Sequence, residues 1–170
     1  MAHSFVAPVE GMSVVVDREC DDQDLDVLAS LALTLSAVLS TSTLACLNHD
    51  DDALIMGPYH VGGLLQEYGW TNSSTFEVPK SDRSTFVGAV KERFGTTARP
   101  RSRGAVFPQP GFGRALALRV LMRIGSRTMA IGIHEDLIAD MGLPTVCAGA
   151  GFRYVARGEF DDLEPHFERI

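Results

Sequence analysis

The chain has 170 residues, of which 45% are hydrophobic and 22% are charged, and its formal net charge is −7. These values exclude a fibrous repeat, a wholly disordered chain and a fold too small to be stable without disulfides or metals. The three cysteines, Cys20, Cys46 and Cys147, form no CxxC pair, and residues 1–20 lack a secretion signal. We therefore expect a single compact domain over residues 1–170 in the cytoplasm.

The first half of the chain predicts a strand and a long helix. Residues 12–17 contain a run of three valines, which is typical of a strand. Acids at positions 21–26 suit the positive end of a helix dipole, and Leu25, Leu28, Ala32, Leu35 and Leu39 follow at helical spacing. These features predict a helix from about residue 23 to 40, which the Ser/Thr run at 40–43 ends.

Residues 27–47 carry no charge over a length that could span a bilayer. They contain seven hydroxyl side chains and have acids, but no Lys or Arg, on both sides. A buried core helix is therefore the preferred interpretation, and no membrane association is expected.

Further elements are predicted by turn residues and periodicity. Gly57-Pro58 predicts a break in the chain, and a helix with Phe86, Val90 and Phe94 on one face starts at Ser81-Asp82 and ends at Gly95. The remaining predictions are short helices at 59–68 and 134–141, a longer helix at 113–124, and strands at 74–78, 104–107, 127–133 and 151–157. This pattern predicts an α+β fold, with helices packed on a mostly antiparallel sheet.

The charges are unevenly distributed along the chain. Residues 1–60 have ten acids and one base, and residues 128–170 have eight acids and three bases. Residues 91–127, the basic segment, have nine bases and one acid. Six of its arginines recur at alternate positions (Arg99, Arg101, Arg103) or at every fourth position (Arg119, Arg123, Arg127), so each set would share one side of an extended strand or of a helix.

This charge pattern predicts a non-catalytic binding, regulatory or assembly module without a cofactor. The basic segment would dock the acidic ends of this chain or of a second copy, or a separate acidic or anionic partner, because the guanidinium fork suits carboxylates and phosphates. Nucleic acid is disfavoured, since the net charge is negative and only Phe94, Phe107 and Phe112 lie among the bases.

A glycine-rich turn, PQPGFGRAL at residues 108–116, lies between the two arginine sets. Glycines before a helix let backbone N–H groups approach an anion, although they also commonly interrupt loops. This turn resembles the pyrophosphate loop of GNAT-type acetyltransferases, and RTMAIGI (127–133) and GFRYVAR (151–157) resemble two strands of that family. The resemblance implies an alternative function, a small acetyltransferase that uses acyl-coenzyme A.

Under this alternative, the resemblance implies roles for individual residues. Gly111, Gly113 and Arg114 would hold coenzyme A, Tyr154 would be the acid for the leaving thiolate, and His134 or Glu135 would be the base. The simpler interpretation of His134-Glu135-Asp136 is the N-cap and first turn of a helix.

A last candidate is the cluster Cys46, His49 and Asp50, with His60 further along the chain. If the long helix continued to residue 49, the first three would share one face and could hold a metal with His60. The aspartates at 50–52 disfavour a helix C-terminus, where the dipole favours cations. A polar surface turn, or a docking surface for the basic segment, is therefore the preferred interpretation.

Overall fold

The structure, a computed structural model, describes residues 4–9, 11–50, 52–95, 129–144, 152–157 and 167–170. These residues form two antiparallel sheets with helices, which confirms the predicted α+β class. The helices are α1 (Leu25–Val38), α2 (Arg83–Phe94), α3 (Ala130–Met141) and α4 (Phe152–Ala156), with a short 3-10 helix at Glu19–Asp22. The strands are β1 (Ser4–Val9), β2 (Met12–Asp17), β3 (Ser42–His49), β4 (Ala53–His60), β5 (Gly63–Leu64), β6 (Tyr68–Thr71) and β7 (Glu168–Arg169).

The smaller sheet has three strands in the order β2-β1-β7. β1 and β2 form a hairpin in which Val9 pairs with Met12, and β7 pairs with the start of β1. The strand predicted at residues 12–17 is confirmed as β2. The rings of Phe5 and Phe152, 5.1 Å apart, connect β1 to α4.

The larger sheet is built around β4, which pairs with β3 along its whole length. Its other edge pairs with β6 and then with β5. Tyr59 pairs with Leu64 but Met56 pairs with Tyr68, so one extra residue lies between β5 and β6. This bulge lies opposite Gly57-Pro58 and accommodates a proline inside a central strand. The break predicted at Gly57-Pro58 and the helix predicted at 59–68 are therefore wrong.

Each face of the larger sheet is covered by helices. On one face, Ala45 and Tyr59 pack against Ala32 of α1. On the other face, a larger core unites Leu54 and Met56 of β4 with fully buried side chains of α2 and α3, namely Phe86, Val90, Leu137, Ile138 and Met141. The sheet therefore separates α1 from α2 and α3.

The helices predicted at about 23–40 and from Ser81-Asp82 to Gly95 are confirmed as α1 and α2. Asp24 accepts hydrogen bonds from the backbone N–H groups of Asp26 and Val27, and α1 ends at Val38. Asp82 caps α2 through Thr85 N–H, and Gly95 ends it in the left-handed conformation. The Asp82 carboxylate accepts hydrogen bonds from Ser84 Oγ and from the backbone N–H and Oγ1 of Thr85. These bonds favour the ionised form and lower the pKa of Asp82.

Three predicted strands are wrong over the described residues. Residues 130–133 begin α3 instead of ending a strand, so α3 starts one turn before the helix predicted at 134–141. Residues 152–156 form α4. Residues 74–78 form no strand, because Val78 and Pro79 cross over Gly69 of β6, where an added Cβ would lie 2.6 Å from Val78 Cβ. The elements predicted at 104–107 and 113–124 lie outside the described residues.

The uncharged stretch at 27–47 forms most of α1 and most of β3, with a turn between them. Among the helices of the described ranges, none is long and apolar enough to cross a membrane.

Candidate functional site

An open groove of about 600 Å³ runs between the exposed side of α1 and the end of β2. Its rim carries three carboxylates and its floor two aliphatic side chains. The residues that line it are Asp17, Glu19, Cys20, Asp26, Val27, Ser30, Leu31 and Thr34. We call this surface the acidic groove.

The local sequence explains how the acidic groove forms. The positions on α1 that line it, from Asp26 to Thr34, share one side of the helix, while Leu28 and Ala32 occupy the side that packs on the larger sheet. The 3-10 helix at 19–22 then brings the end of β2 back beside α1. Asp26, an acid in the first turn of α1 that suits the helix dipole, thus also forms part of the rim, together with Asp17 of β2 and Glu19 of the 3-10 helix.

The 3-10 helix beside the groove already binds a guanidinium group. Arg153 of α4 places Nε 2.8 Å from Asp21 Oδ2 and Nη2 3.0 Å from Asp22 Oδ1. The Asp21 side chain is only 15% exposed, so this ion pair is partly shielded from water. The carboxylates of the 3-10 helix therefore bind an arginine from a distant part of the chain.

The turn between β3 and β4 continues the acidic surface. Gln23 Nε2 donates a hydrogen bond of 3.1 Å to Asp50 Oδ1, which connects the start of α1 to this turn. Asp52 lies in the same turn and is exposed. The prediction that 50–52 belongs to a polar surface turn agrees with this arrangement for Asp50 and Asp52.

The thiol of Cys20 reports the electrostatic environment of the groove. Burial, and then the negative charges of Asp17, Glu19 and Asp24, raise the pKa of Cys20 from 9.0 to about 11. Each cause disfavours the thiolate, the first by removing water and the others by repulsion. The groove therefore favours cations and disfavours anions.

We expect Cys20 to react slowly with alkylating agents. At pH 8 the folded protein should be alkylated by iodoacetamide at Cys20 about tenfold more slowly than the urea-unfolded chain, because the scarcity of thiolate outweighs its higher nucleophilicity. Peptide mass spectrometry measures the rate at this one cysteine. Asp17→Asn with Glu19→Gln should accelerate the reaction, and equal rates in the folded and unfolded chain would contradict the prediction.

The metal-site candidates do not come together in the structure. Cys46 and His49 lie three positions apart on a strand, and therefore on opposite faces of the sheet, instead of sharing a helix face. His49 pairs with Ala53 and His60 pairs with Ser42, at opposite ends of the β3–β4 ladder, about 23 Å apart. No group of three potential metal ligands occurs within the part of the chain that the structure describes.

The two histidines of that cluster have local partners instead. The ring of His49 lies 4.7 Å from the ring of Phe76, and its Nδ1 lies 3.9 Å from Asp50 Oδ2. His60 Nδ1 is hydrogen-bonded to Ser42 Oγ at 3.1 Å. Both contacts are explained by strand pairing and packing.

The catalytic candidates of the acetyltransferase alternative lie in two helices, α3 and α4. His134 lies in the second turn of α3 and is 4% exposed, whereas Glu135 is exposed. The interpretation of residues 134–136 as an N-cap and first turn is wrong, because the N-cap is Met129. Tyr154 lies in α4, where the resemblance implied a strand.

The remaining candidates lie outside the described residues. They are the arginines of the basic segment (Arg99, Arg101, Arg103, Arg119, Arg123, Arg127), the turn residues Gly111, Gly113 and Arg114, and Cys147. Only the start of the basic segment is described, where Lys91 and Arg93 lie in the last turn of α2, at the end of the helix dipole that favours cations.

Sequence reasoning singled out one acid of the groove, Asp26, but not the groove. The acids at 21–26 form a charge run in the sequence, whereas Asp17, Glu19, Cys20, Ser30 and the aliphatic floor give no separate signal. The charge run beside an uncharged helix face was the one feature that pointed to this surface.

The fold and the groove define an α+β protein with an acidic surface groove. Comparison of the chain with protein-family models, with curated proteins and with solved structures found no match. The functional proposal therefore rests on the site itself.

Proposed function

We propose that this chain is a non-catalytic binding module that assembles by charge, with the basic segment of one copy docking into the acidic groove of another. The observation that carries the proposal is the pair of contacts from Arg153 to Asp21 and Asp22. The carboxylates beside the groove bind an arginine fork within the chain, and the same chemistry is available to the arginines at 91–127.

The composition of the groove supports an arginine as its occupant. Arginine has an apolar stem and a planar charged head, so it is best bound where apolar and acidic surfaces meet. Val27 and Leu31 offer the apolar contact, and Asp17, Glu19 and Asp26 offer carboxylates at the rim. Within the described residues, none of these three carboxylates forms an ion pair.

The charge balance supports a second copy as the source of the arginines. Residues 1–60 have a net charge of −9, from ten acids and one base, and the basic segment has +8, from nine bases and one acid. Two copies can therefore neutralise each other without another partner. Docking within a single chain would use the same groups but would not depend on protein concentration.

Neutralising the rim of the groove should weaken self-association. We expect Asp17→Asn, Glu19→Gln and Asp26→Asn together to raise the dissociation constant about tenfold at low salt, because the lost attraction is about 1.4 kcal/mol. Arg119→Ala, Arg123→Ala and Arg127→Ala together should have a similar effect. Sedimentation equilibrium over a range of protein concentrations measures both constants.

A matched control removes three exposed acids away from the groove, by Glu77→Gln, Asp136→Asn and Glu168→Gln. It changes the net charge by the same amount and should leave the dissociation constant close to the wild-type value. A groove variant that associates like wild type would overturn the proposal. A wild-type chain that stays monomeric at every concentration would assign the basic segment to its own chain or to a separate acidic partner.

A further inference from the structure

The wall of the acidic groove that α1 forms changes in character along the helix. Asp26 lies in the first turn of α1, and the helix residues that line the groove beyond it, Val27, Ser30, Leu31 and Thr34, carry no charge. Thr34 follows Asp26 by eight residues, so the uncharged part of this wall is about 12 Å long. The α1 wall therefore has a charged beginning and an uncharged end.

The acids of the opposite wall act at the charged end of the groove. Cys20 lines the groove, and burial, followed by the charges of Asp17, Glu19 and Asp24, raises the pKa of its thiol. Asp24 is the N-cap of α1. The two rim acids of the opposite wall thus act on the same thiol as the N-cap, which places the negative charge near the start of α1.

One part of the basic segment has the same order of charged and uncharged residues. Residues 99–107, RPRSRGAVF, have three arginines in the first five positions and no charge in the last four. Three arginines match the number of rim carboxylates. In an extended peptide alternate residues share one side, so Arg99, Arg101 and Arg103 would face the same way as Phe107. The distance from Arg103 to Phe107 would be about 13 Å, close to the length of the uncharged wall.

The second set of arginines does not fit the groove in this way. Residues 119–127, RVLMRIGSR, begin and end with arginine. Docking in either direction would therefore place an arginine beside Leu31 and Thr34, where α1 offers no carboxylate. These arginines contribute instead to the general attraction between oppositely charged surfaces, which does not require a fixed position.

The position of α2 favours the groove of a second copy. Arg99 follows Gly95, which ends α2, by four residues, and four residues span at most about 14 Å. The larger sheet separates α2 from α1, and helices on opposite faces of a sheet lie about 20 Å apart. The backbone of Arg99 therefore falls short of the groove of its own chain, whereas a second copy can present its groove directly.

We propose that residues 99–107 of one copy occupy the acidic groove of another in an extended form parallel to α1, with the arginines at the charged end and Phe107 against Leu31 and Thr34. This inference rests on the proposed charge docking and adds which segment docks and in which direction. The arginines supply an attraction that salt screens, and Phe107 supplies an apolar contact that salt does not screen.

A double-mutant cycle between a peptide and the full chain tests the direction of docking. A fluorescent peptide of residues 99–107 is titrated with the full chain at low salt, and polarisation gives the dissociation constant. Phe107→Ala in the peptide should raise this constant about fivefold with the wild-type chain, because an apolar contact is lost. With a Leu31→Ala chain the same change should have little effect, because the contact is already absent. The control chain Leu39→Ala loses an exposed leucine outside the groove and should behave like wild type.

A variant of the full chain tests the choice of segment without any change in the groove. Arg99→Ala, Arg101→Ala and Arg103→Ala together should raise the dissociation constant for self-association about tenfold at low salt. Sedimentation equilibrium measures this constant, and a constant equal to that of wild type would overturn the inference.

Two results with the peptide would also overturn the inference. One is a peptide that does not bind, and the other is an equal effect of Phe107→Ala on the wild-type and Leu31→Ala chains. Charge docking is judged separately, by the mass of the full chain at several salt concentrations. A mass that falls as salt is added would retain charge docking and assign the groove to another part of the basic segment.

Discussion

Replacing the buried His134 with leucine should leave the protein at least as stable at pH 7 and should remove much of its sensitivity to acid. His134 is 4% exposed and shares its side of α3 with Ala130, Leu137 and Ile138, all fully buried. Neither ring nitrogen has a hydrogen-bond partner among the described residues. A buried polar group without a partner costs about 1–3 kcal/mol, which an apolar side chain of similar size avoids.

The acid sensitivity follows from the same burial. Desolvation lowers the pKa of His134 from 6.5 to about 4. As the pH falls, the unfolded chain therefore binds a proton at this histidine before the folded chain does, and protonation favours unfolding. Above pH 6.5 this histidine is neutral in both states and its protonation does not reduce the free energy of unfolding. Between pH 6.5 and about 4 the free energy of unfolding falls, by about 3 kcal/mol in total at 1.36 kcal/mol per pH unit.

Urea unfolding at a series of pH values between 7 and 4 measures this effect. The wild-type free energy of unfolding should fall by about 3 kcal/mol more than that of His134→Leu over this range. Gly88→Ala retains His134 and changes no titratable group, so it should retain the shape of the wild-type pH profile. Parallel profiles for wild type and His134→Leu would show that His134 is not the origin of the acid sensitivity.

Phe86→Ala should cost about 3–5 kcal/mol of folding free energy, the usual range for removing a fully buried aromatic ring. Phe86 is 0% exposed, and its ring lies 5.4 Å from that of Tyr68 on β6. It therefore joins α2 to the larger sheet, and alanine would leave a cavity between them.

Gly88→Ala, two residues along the same helix, should have the opposite effect. Gly88 is exposed, and a Cβ added there would meet nothing within 4 Å. Alanine should stabilise α2 by about 0.5–1 kcal/mol because it loses less backbone entropy on folding. Urea midpoints measure both changes, and a Phe86→Ala midpoint close to that of wild type would contradict the assigned core.

The elements that the sequence predicted well are those with local signals. Asp24 and Asp82 form hydrogen bonds to backbone N–H groups in the turn that follows each of them, and Gly95 adopts the left-handed conformation that ends α2. Phe86 and Val90, four positions apart, are the buried residues on one face of α2. These interactions lie within a few residues of each other, so one sequence is enough to reveal them.

The elements that it predicted wrongly depend on distant contacts. Residues 130–133 are apolar without a period of their own, and their helical form follows from packing with Leu137, Ile138 and Met141 in one core. α4 has only five residues, and the contacts that connect it to the rest are with Phe5 and with Asp21 and Asp22. Neither could be inferred from local propensity.

The candidate site shows the same division. The acids at 21–26 are a local signal, and the sequence predicted them as the cap and first turn of α1, within a net charge of −9 over residues 1–60. The groove forms only because the end of β2 lies beside α1, a contact between distant parts of the chain. The position of α1 depends in turn on the larger sheet, which contains the bulge opposite Gly57-Pro58. Cys46 and His49 would share one face of a helix, but residues 42–49 form a strand, so the two side chains lie on opposite faces of the sheet. The presence of potential metal ligands in the sequence does not reveal this.

The most direct measurement of the proposed charge docking is the mass of the wild-type protein by sedimentation at a series of salt concentrations. Assembly by charge predicts a mass above the 18.4 kDa of a single chain at low salt, and this mass should fall as the salt is raised to about 1 M and the opposite charges are screened. The groove variant Asp17→Asn, Glu19→Gln and Asp26→Asn should have a lower mass than wild type at low salt, because its dissociation constant is about tenfold higher. A wild-type mass that does not change with salt would contradict charge docking.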